Sequence, residues 1–511
     1  MPPKISIRHL TIIGVFLISQ LLLTLYLSFT LNIWVDEYFS LYATSGTFSK
    51  AIHQSIHFDF QPPLYYLLLT LWRHINNSIF FARLLSVVCV AIGTFIFYRL
   101  SCRLWNRNKV LFLFPVVAFN PYLIWAACEI RLYALLLLEC ALLMLTFYEG
   151  FLNDSRQTHK SFRLFFFCCS LTALYTQYYA GFFLLAAGFT LLVLRRWREM
   201  WIFASGMLVV GVLFLPMVGS LLSQLGDVNH TAATAAVSRE IVASTKHIDW
   251  MLQGLLIPDI GSKFWANIKN WYTWVMIIYL VFLVVRHRSR IITLPNIYIA
   301  SLIAILSGSF ILISYRLGLF YTQQRHLAIL VFPLLGVWLA LFCSAKQKWI
   351  AWSFLYVSLA AYCNFYIYNY IPPVKNGDWE RVAKYVMKSG YHDAPVLIFR
   401  NEGALPFSTY YQPAANIIPI PNATSLDRFD VRTSIIKSDK ILVNIIEKIG
   451  NSSKPFWLLT YATGAWLGTD IGSHIVEQFV KNQCKTLEEK QFVGTKVRLL
   501  QYISLRTGED R

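Results

Sequence analysis

Residues 10–31, LTIIGVFLISQLLLTLYLSFTL, contain no charged side chain. About twenty apolar residues in a helix cross the ~30 Å hydrocarbon core of a bilayer. Runs of this kind recur, beginning near Leu10, Phe80, Val110, Cys128, Phe162, Tyr179, Trp201, Trp271, Pro295, Leu327 and Trp349. They constrain the chain to a polytopic α-helical membrane protein of about 11 spans, because peptide groups facing lipid must be paired within the helix itself. Composition agrees, since 57% hydrophobic and 14% charged residues are too apolar for a soluble chain of 511. No small-residue cleavage site follows the first run, so it reads as a retained helix, not a signal peptide.

A formal charge of +19 would suit a nucleic-acid partner, but the basic residues lie in short clusters between apolar runs and form no single patch, which argues against one. Among the clusters are Arg99, Arg103, Arg107 and Lys109; Arg156, Lys160 and Arg163; and Arg195, Arg196 and Arg198. They alternate with acidic or neutral loops, and the positive-inside rule makes them cytoplasmic. An odd number of spans then puts the N-terminus in the cytoplasm and everything after about Tyr370 outside. The cysteines fall mostly within apolar runs and show no CxxC spacing, which points to neither a disulfide framework nor a structural zinc.

Beyond residue 371 the pattern changes. Short β-like runs (APVLIFR, NIIPI, KPFWLLTYA, KVRLLQYI) alternate with helix-like ones (DWERVAKYVMKSG, DIGSHIVEQFVKNQ), the signature of a small α/β domain over 372–511. The Ala-rich TAATAAV near residue 234 reads as part of an external loop.

Sorted by side, the polar residues that suit no passive membrane helix fall outside. Asp36 and Glu37 follow the first run, and His57, Asp59 and Gln61 precede PPLYYLLLTLW in the same loop, 32–78. Glu129, Arg131 and Tyr133 sit where the third and fourth spans meet, Gln177, Tyr178 and Tyr179 between the fifth and sixth, and Gln323, Gln324, Arg325 and His326 between the ninth and tenth. Each also has a plainer reading. Asp36 can cap a helix through EYFSLYA, and Asp59 or Gln61 can cap PPLYYLLLTLWRHI, an amphipathic segment whose prolines suit a first turn. Glu129 can pair with Arg131, although a spacing of two puts them on different helix faces. Glu139, inside the fourth span, reads as a protonated carboxyl or an interhelical hydrogen-bond partner.

A carboxylate at headgroup depth can take a proton from a hydroxyl, while guanidinium and imidazole groups neutralise a departing phosphate. The phosphate of a lipid carrier lies at that depth. The pattern therefore points to transfer of a group from a lipid phosphate at the outer surface.

At these residues the sequence resembles the membrane glycosyltransferases of the C-type superfamily, specifically bacterial family 39-like proteins related to protein O-mannosyltransferases and the lipid A aminoarabinose transferase. WVDEYFSLY, FDFQPPLYYLLLTLW, NPYLIWAACEIRLYALLLL, LYTQYYAGFFLL, QQRHL and GDWERVAKYV carry the resemblance in order, over most of the chain. It implies the C-type fold over 1–371, with a catalytic external loop at 32–78, and an extracytoplasmic α/β domain over 372–511. It implies a polyprenyl-phosphate-linked sugar donor, inversion at the anomeric carbon, and a glycan, lipid or protein acceptor. Asp36 matches the catalytic aspartate, with Glu37 and Asp59 as neighbouring acids. Gln61, Tyr65, Glu129, Arg131, Tyr133, Tyr178, Arg325 and His326 form the expected substrate-binding set, with Arg131 and Arg325 on the phosphate; relatives often carry a histidine where this chain has Gln61. Some members of the superfamily use a divalent metal, but these carboxylates are explained without one and no cofactor is expected. The expected setting is a bacterial inner membrane. The alternative is a polytopic lipid or glycan transporter or flippase, yet transporters place charges near the midplane and show inverted repeats, whereas here the polar groups crowd one face.

Overall fold

The computed structural model describes all residues except 1–6, 154–158, 235–240, 259–262, 287–291, 318–323, 345–347, 413, 428–433, 449–453, 465–469 and 504–511. The chain divides into two compact units. Met1–Phe29, Gly46–Ile56 and Phe60–Ile371 form the first; Thr30–Ser45, His57–Asp59 and Pro372–Arg511 form the second.

Helices α1 Ile7–Thr30, α2 Val35–Ala43, α3 Phe48–His57, α4 Leu64–Arg73, α5 Ile79–Leu104, α6 Arg107–Ala118, α7 Pro121–Ala127 and α8 Tyr133–Phe147 follow one another along the chain. They are succeeded by α9 His159–Thr176, α10 Ala180–Val193, α11 Trp197–Thr234, α12 Ile241–Leu256, α13 Lys263–Arg286, α14 Leu294–Leu317, α15 Ala328–Ser344 and α16 Lys348–Tyr370. Each apolar run of the sequence is helical. Among the described residues, however, seven helices are long and apolar enough to cross a bilayer, or eight if α6 and α7, bent by 54°, make one broken span, in place of the expected eleven. The physical reasons are local. The 14 residues of α10 extend only about 21 Å, while α9 and α13 open on polar stretches, HKSFR and KFWANIKN. The Ala-rich stretch near 234, expected in a loop, extends α11 to Thr234, and the rest of it lies outside the described residues.

Asn120 makes the break between α6 and α7. Its side-chain oxygen accepts from Tyr122 N at 3.0 Å, Pro121 follows at the start of α7, and its amide donates to Leu255 O and to Tyr362 Oη, each at 3.0 Å. A cap whose remaining donors are also used fixes a bend instead of a flexible joint.

Burial identifies the inner helices. The central windows of Tyr133–Leu152 and Gln324–Cys343 are 72% and 83% buried, against 22% for His9–Thr30 and 17% for Trp197–Gly226. On α1, Val15, Ile18, Leu22, Tyr26 and Phe29 are exposed, and in a membrane such a stripe meets lipid. Three of the basic loops gather around the π turn Tyr148–Leu152. Arg103 Nη1 lies 3.6 Å from Glu149, Arg163 pairs with Glu199 and donates to Gly150 O at 2.8 Å, and Arg196 donates to Phe151 O at 3.1 Å.

The second unit holds a five-stranded sheet of order β2-β1-β3-β5-β4, with β1 Val396–Phe399, β2 Ile417–Pro419, β3 Phe456–Tyr461, β4 Cys484–Phe492 and β5 Thr495–Tyr502. β1 pairs parallel with β2 and β3; β5 pairs antiparallel with β3 and β4. Alternation along the strands builds a core on each face. Val396, Ile398, Trp457, Leu459, Val497 and Leu499 pack with helix α17, Trp379–Lys388, on one side; Leu397, Phe399, Phe456, Leu458 and Leu500 pack with α19, Lys440–Lys448, and α20, Ser473–Gln483, on the other. A short helix, α18 Ala404–Ser408, lies between β1 and β2 in the chain. Val35, Phe39 and Phe58 belong to the first of these cores, so segments of the first loop are built into this domain.

Candidate functional site

Asp36 and Glu37 occupy the first turn of α2, whose N-cap is Trp34 with no side-chain cap. The capping reading of Asp36 is therefore corrected: the N-cap position belongs to Trp34, and Asp36 is the second residue of the helix, where its charge is favoured by the dipole. Likewise α4 begins after Pro63 without a side-chain cap, so neither Asp59 nor Gln61 serves as one, and both prolines precede the helix.

Residues 32–37 are tied to the C-terminal part of the second unit at several points. The side-chain oxygen of Asn32 accepts from Lys375 N at 2.7 Å, Ile33 N donates to Tyr410 Oη at 2.8 Å, and Lys375 Nζ lies 2.8 Å from Glu37 Oε2. Glu37 is completely buried, and a carboxylate there requires such a counter-charge. Asp36, on the adjoining face, is half-buried. Its charge reaches two groups of the sheet domain. The Glu402 carboxyl is pushed up by burial, a shift opposed by Arg400 and reinforced by Asp36. The Tyr461 phenol is pushed up by burial and by the Asp36 and Glu402 charges, against Arg400. Arg400 and Glu402, both buried, form an ion pair. Phe58 is in the core and Asp59 is half-buried beside it in sequence; the next residue, Phe60, takes φ 52, a strained conformation for a side chain of this bulk. It falls where the chain passes from the second unit back to the first.

In the first unit, a cavity of about 220 Å³ is lined by Tyr122, Trp125, Trp250, Lys269, Gln324 and Arg325, among others. Lys269 is 5% exposed, with Nζ 5.7 Å from the centre of the Trp250 ring. Tyr122 Oη donates to Arg325 O at 2.7 Å, which anchors the 3₁₀ turn Gln324–Leu327. Gly254 lies close to the same turn, and a Cβ there would stand 2.9 Å from Gln324 Nε2. Buried Tyr133 has its ring centre 5.4 Å from that of Trp125, a wall of the cavity, with the two planes tilted by 30°. Glu129 and Arg131 are buried between α7 and α8, the carbonyl of Glu129 accepting from Ser86 Oγ at 2.6 Å. His326 lies 6.1 Å from the ring of Tyr179, while Tyr178 faces Phe214 of α11 at 6.4 Å. Tyr65 is buried edge-on to Tyr66, and Gln61 N donates to Ser55 O at 2.8 Å. Gln323 lies outside the described residues. Within α8, Glu139 Oε1 accepts from Thr176 Oγ1 at 3.0 Å, an interhelical bond.

No protein-family model matches the sequence, and no curated protein matches it. Solved structures do match by shape. The apo crystal structure of ArnT from Cupriavidus metallidurans, a lipid A aminoarabinose transferase, superposes with a TM-score of 0.55 at 11% identity, covering 95% of this chain and 97% of that one. The same protein bound to undecaprenyl phosphate gives 0.53 at 11% identity over the same shares.

The chain has the fold of ArnT.

Within this fold the expected residues divide between the units. Asp36, Glu37 and Asp59 belong to the second; Gln61, Tyr65, Glu129, Arg131, Tyr133, Tyr178, Arg325 and His326 belong to the first. Among the described residues, no three His, Cys, Asp or Glu side chains are placed to hold a metal ion. Sequence reading missed Lys269, Lys375, Arg400, Glu402 and Tyr461. Some signals were there: Lys269 is a lone cation in WANIKNWYTW, and Arg400-Asn401-Glu402 is a polar triplet at the C-terminal end of a β-like run, where parallel strands commonly present ligand-facing groups.

Proposed function

We propose that the protein is an inverting glycosyltransferase that moves a sugar from a polyprenyl-phosphate donor to an acceptor hydroxyl at the outer face of a bacterial inner membrane, with residues 372–511 on the periplasmic side. The observation that carries this reading is the cavity of the first unit, in which two cations, Lys269 and Arg325, stand among Tyr122, Trp125 and Trp250. Cations suit a phosphate, and aromatic faces suit a sugar ring or the first isoprene units. The undecaprenyl phosphate bound by ArnT, which shares the fold, supports the same choice of donor.

In this mechanism Asp36 takes the proton of the acceptor hydroxyl, and the acceptor oxygen attacks the anomeric carbon opposite the phosphate. The carbon–oxygen bond to phosphate breaks with inversion. Polyprenyl phosphate leaves with one more negative charge than it carried as a diester, and Arg131, Arg325 and Lys269 neutralise it. Glu37, compensated by Lys375, supports the helix, with Asp59 as a further acid of the loop. Gln61, Tyr65, Glu129, Tyr133, Tyr178 and His326 are assigned to substrate contacts. Because protein cations neutralise the leaving group, no step calls for a metal, and transfer in EDTA is expected to match transfer without it. The test is to incubate the purified protein in nanodiscs with a panel of polyprenyl-phosphate sugars and membrane-extract acceptors, reading release of polyprenyl phosphate and the mass of the product. Turnover with at least one donor is expected. Lipid binding without any release, together with movement of lipid between leaflets, would replace the transferase reading with the transporter one.

A further inference from the structure

The turn between α10 and α11 places an arginine where the backbone suits glycine. Arg195 N donates to Leu192 O and Arg196 N to Leu191 O, each at 3.0 Å, and Arg195 takes φ 52. This paired closure of a helix C-terminus carries glycine most often at its left-handed residue, because a Cβ there crowds the following carbonyl. A basic residue that served only as a topology signal could stand anywhere in the loop, and Arg196 and Arg198 already do. The backbone therefore gives no reason for arginine at 195, and the reason lies with its side chain.

The charges around this turn are not equivalent. Arg196 Nη1 donates to Phe151 O at 3.1 Å, while Arg163 of α9 pairs with Glu199 and donates to Gly150 O at 2.8 Å. These bonds fasten the start of α11 to α9 and the π turn, and they engage Glu199, the one acid between Leu192 and Trp201. Arg195 and Arg198 stand exposed. Trp197 and Trp201, one turn apart on the same face of α11, are exposed as well, as are Leu192 and Val193 in the last turn of α10. The apolar stretch Trp197–Gly226 is long enough to cross a bilayer, and tryptophans in the first turn of a span mark the depth of the lipid headgroups. The two exposed arginines thus flank that depth, next to apolar side chains that meet acyl chains.

We propose that the α10–α11 turn binds the headgroup of an anionic phospholipid, with Arg195 and Arg198 on its phosphate and Trp197 and Trp201 beside its glycerol region. Guanidinium groups match phosphate oxygens two at a time. Two cations suit a lipid of net negative charge, whereas an ethanolamine headgroup brings an ammonium that they repel. No residue of this turn lines the aromatic cavity of the first unit, so the bound lipid is a second one, separate from the sugar donor.

The experiment titrates the full chain, purified in detergent and stripped of lipid, with phosphatidylglycerol, phosphatidylethanolamine or inorganic phosphate. Melting temperature and, by native mass spectrometry, retained lipid are read. Phosphatidylglycerol is expected to raise the melting temperature saturably, and the other two are not. Arg195→Gly relieves the backbone, so it should melt at or above wild type without lipid, yet bind phosphatidylglycerol about fivefold more weakly, the scale of one cation beside an anionic headgroup. Arg198→Gln should weaken binding by a similar factor, and Arg195→Lys, which keeps the charge, should recover most of it. Arg99→Gln, which removes an exposed charge from another basic loop, should bind as wild type does. Undiminished binding in both Arg195→Gly and Arg198→Gln would overturn the proposal. So would equal weakening by Arg99→Gln, which would mean diffuse attraction to a basic surface, or an equal shift from phosphatidylethanolamine or inorganic phosphate.

Discussion

Lys375→Met is expected to loosen the helix that carries Asp36 while leaving the membrane helices as they are. In the wild type, the Glu37 carboxylate is wholly buried with Lys375 Nζ at 2.8 Å. Removing one partner of such a pair costs about 3–5 kcal/mol, because the other charge is left buried. A cost of ~3 kcal/mol is about a 10²-fold rise in the opening constant of the segment, given that 1.36 kcal/mol is tenfold. Hydrogen exchange read by mass spectrometry should therefore show amides of 35–43 exchanging about 10²-fold faster in the variant, with peptides of α8 unchanged. The double variant Glu37→Gln/Lys375→Met leaves neither charge, keeps the shape of residue 37, and should recover most of that protection. Exchange of 35–43 within twofold of wild type in Lys375→Met would refute the reasoning, as would a double variant no better protected than the single one.

Three further outcomes follow from other parts of the structure. Arg325→Ala and Lys269→Met should each weaken polyprenyl-phosphate binding and slow transfer by roughly tenfold or more, the scale of a charged phosphate contact, checked by lipid titration and donor turnover; binding unchanged in both would move the phosphate elsewhere. A C-terminal alkaline phosphatase fusion should be active and a green fluorescent fusion dark, because the basic Lys346 and Lys348 before the last span, Trp349–Tyr370, mark its start as cytoplasmic and one crossing then leads outside. Glu477, held below the usual carboxylate range by hydrogen bonding to Arg498, stabilises the second unit above its ordinary titration range and loses that contribution as pH falls through its lowered value. Glu477 is half-exposed, so Glu477→Gln should lower stability at pH 7 only modestly, by ~1 kcal/mol or less, and the difference from wild type should shrink away as pH falls through that lowered value.

Much of the architecture was legible because bilayers and sheets impose simple periodicities. Every apolar run became a helix, and APVLIFR, NIIPI, KPFWLLTYA and KVRLLQYI became β1, β2, β3 and β5. Strand β4, CKTLEEKQF, gave no such signal because it is the outer strand and its side chains are mostly exposed; lysines and glutamates at an edge guard against pairing with other chains. The bend at Asn120 needed the partners Leu255 and Tyr362, more than a hundred residues away. Incorporation of 30–45 into the sheet domain was equally hidden, because the side chains that hold it, Lys375, Tyr410 and the Trp379 core, lie over three hundred residues downstream. Asp36 stood out by its position after the first apolar run, whereas Glu402 is an ordinary acid in sequence and acquires its interest only from burial and neighbours.

The most direct test of the account is the transfer rate of Asp36→Asn, purified, folded and supplied with saturating donor and acceptor. Asparagine keeps the shape of the side chain, and the N-cap position of α2 is held by Trp34, not by residue 36, so the cap is untouched by the change. The account predicts a fall of about 10² or more in turnover, the usual scale for losing a general base, with polyprenyl-phosphate binding retained. Turnover within a few-fold of wild type would contradict it.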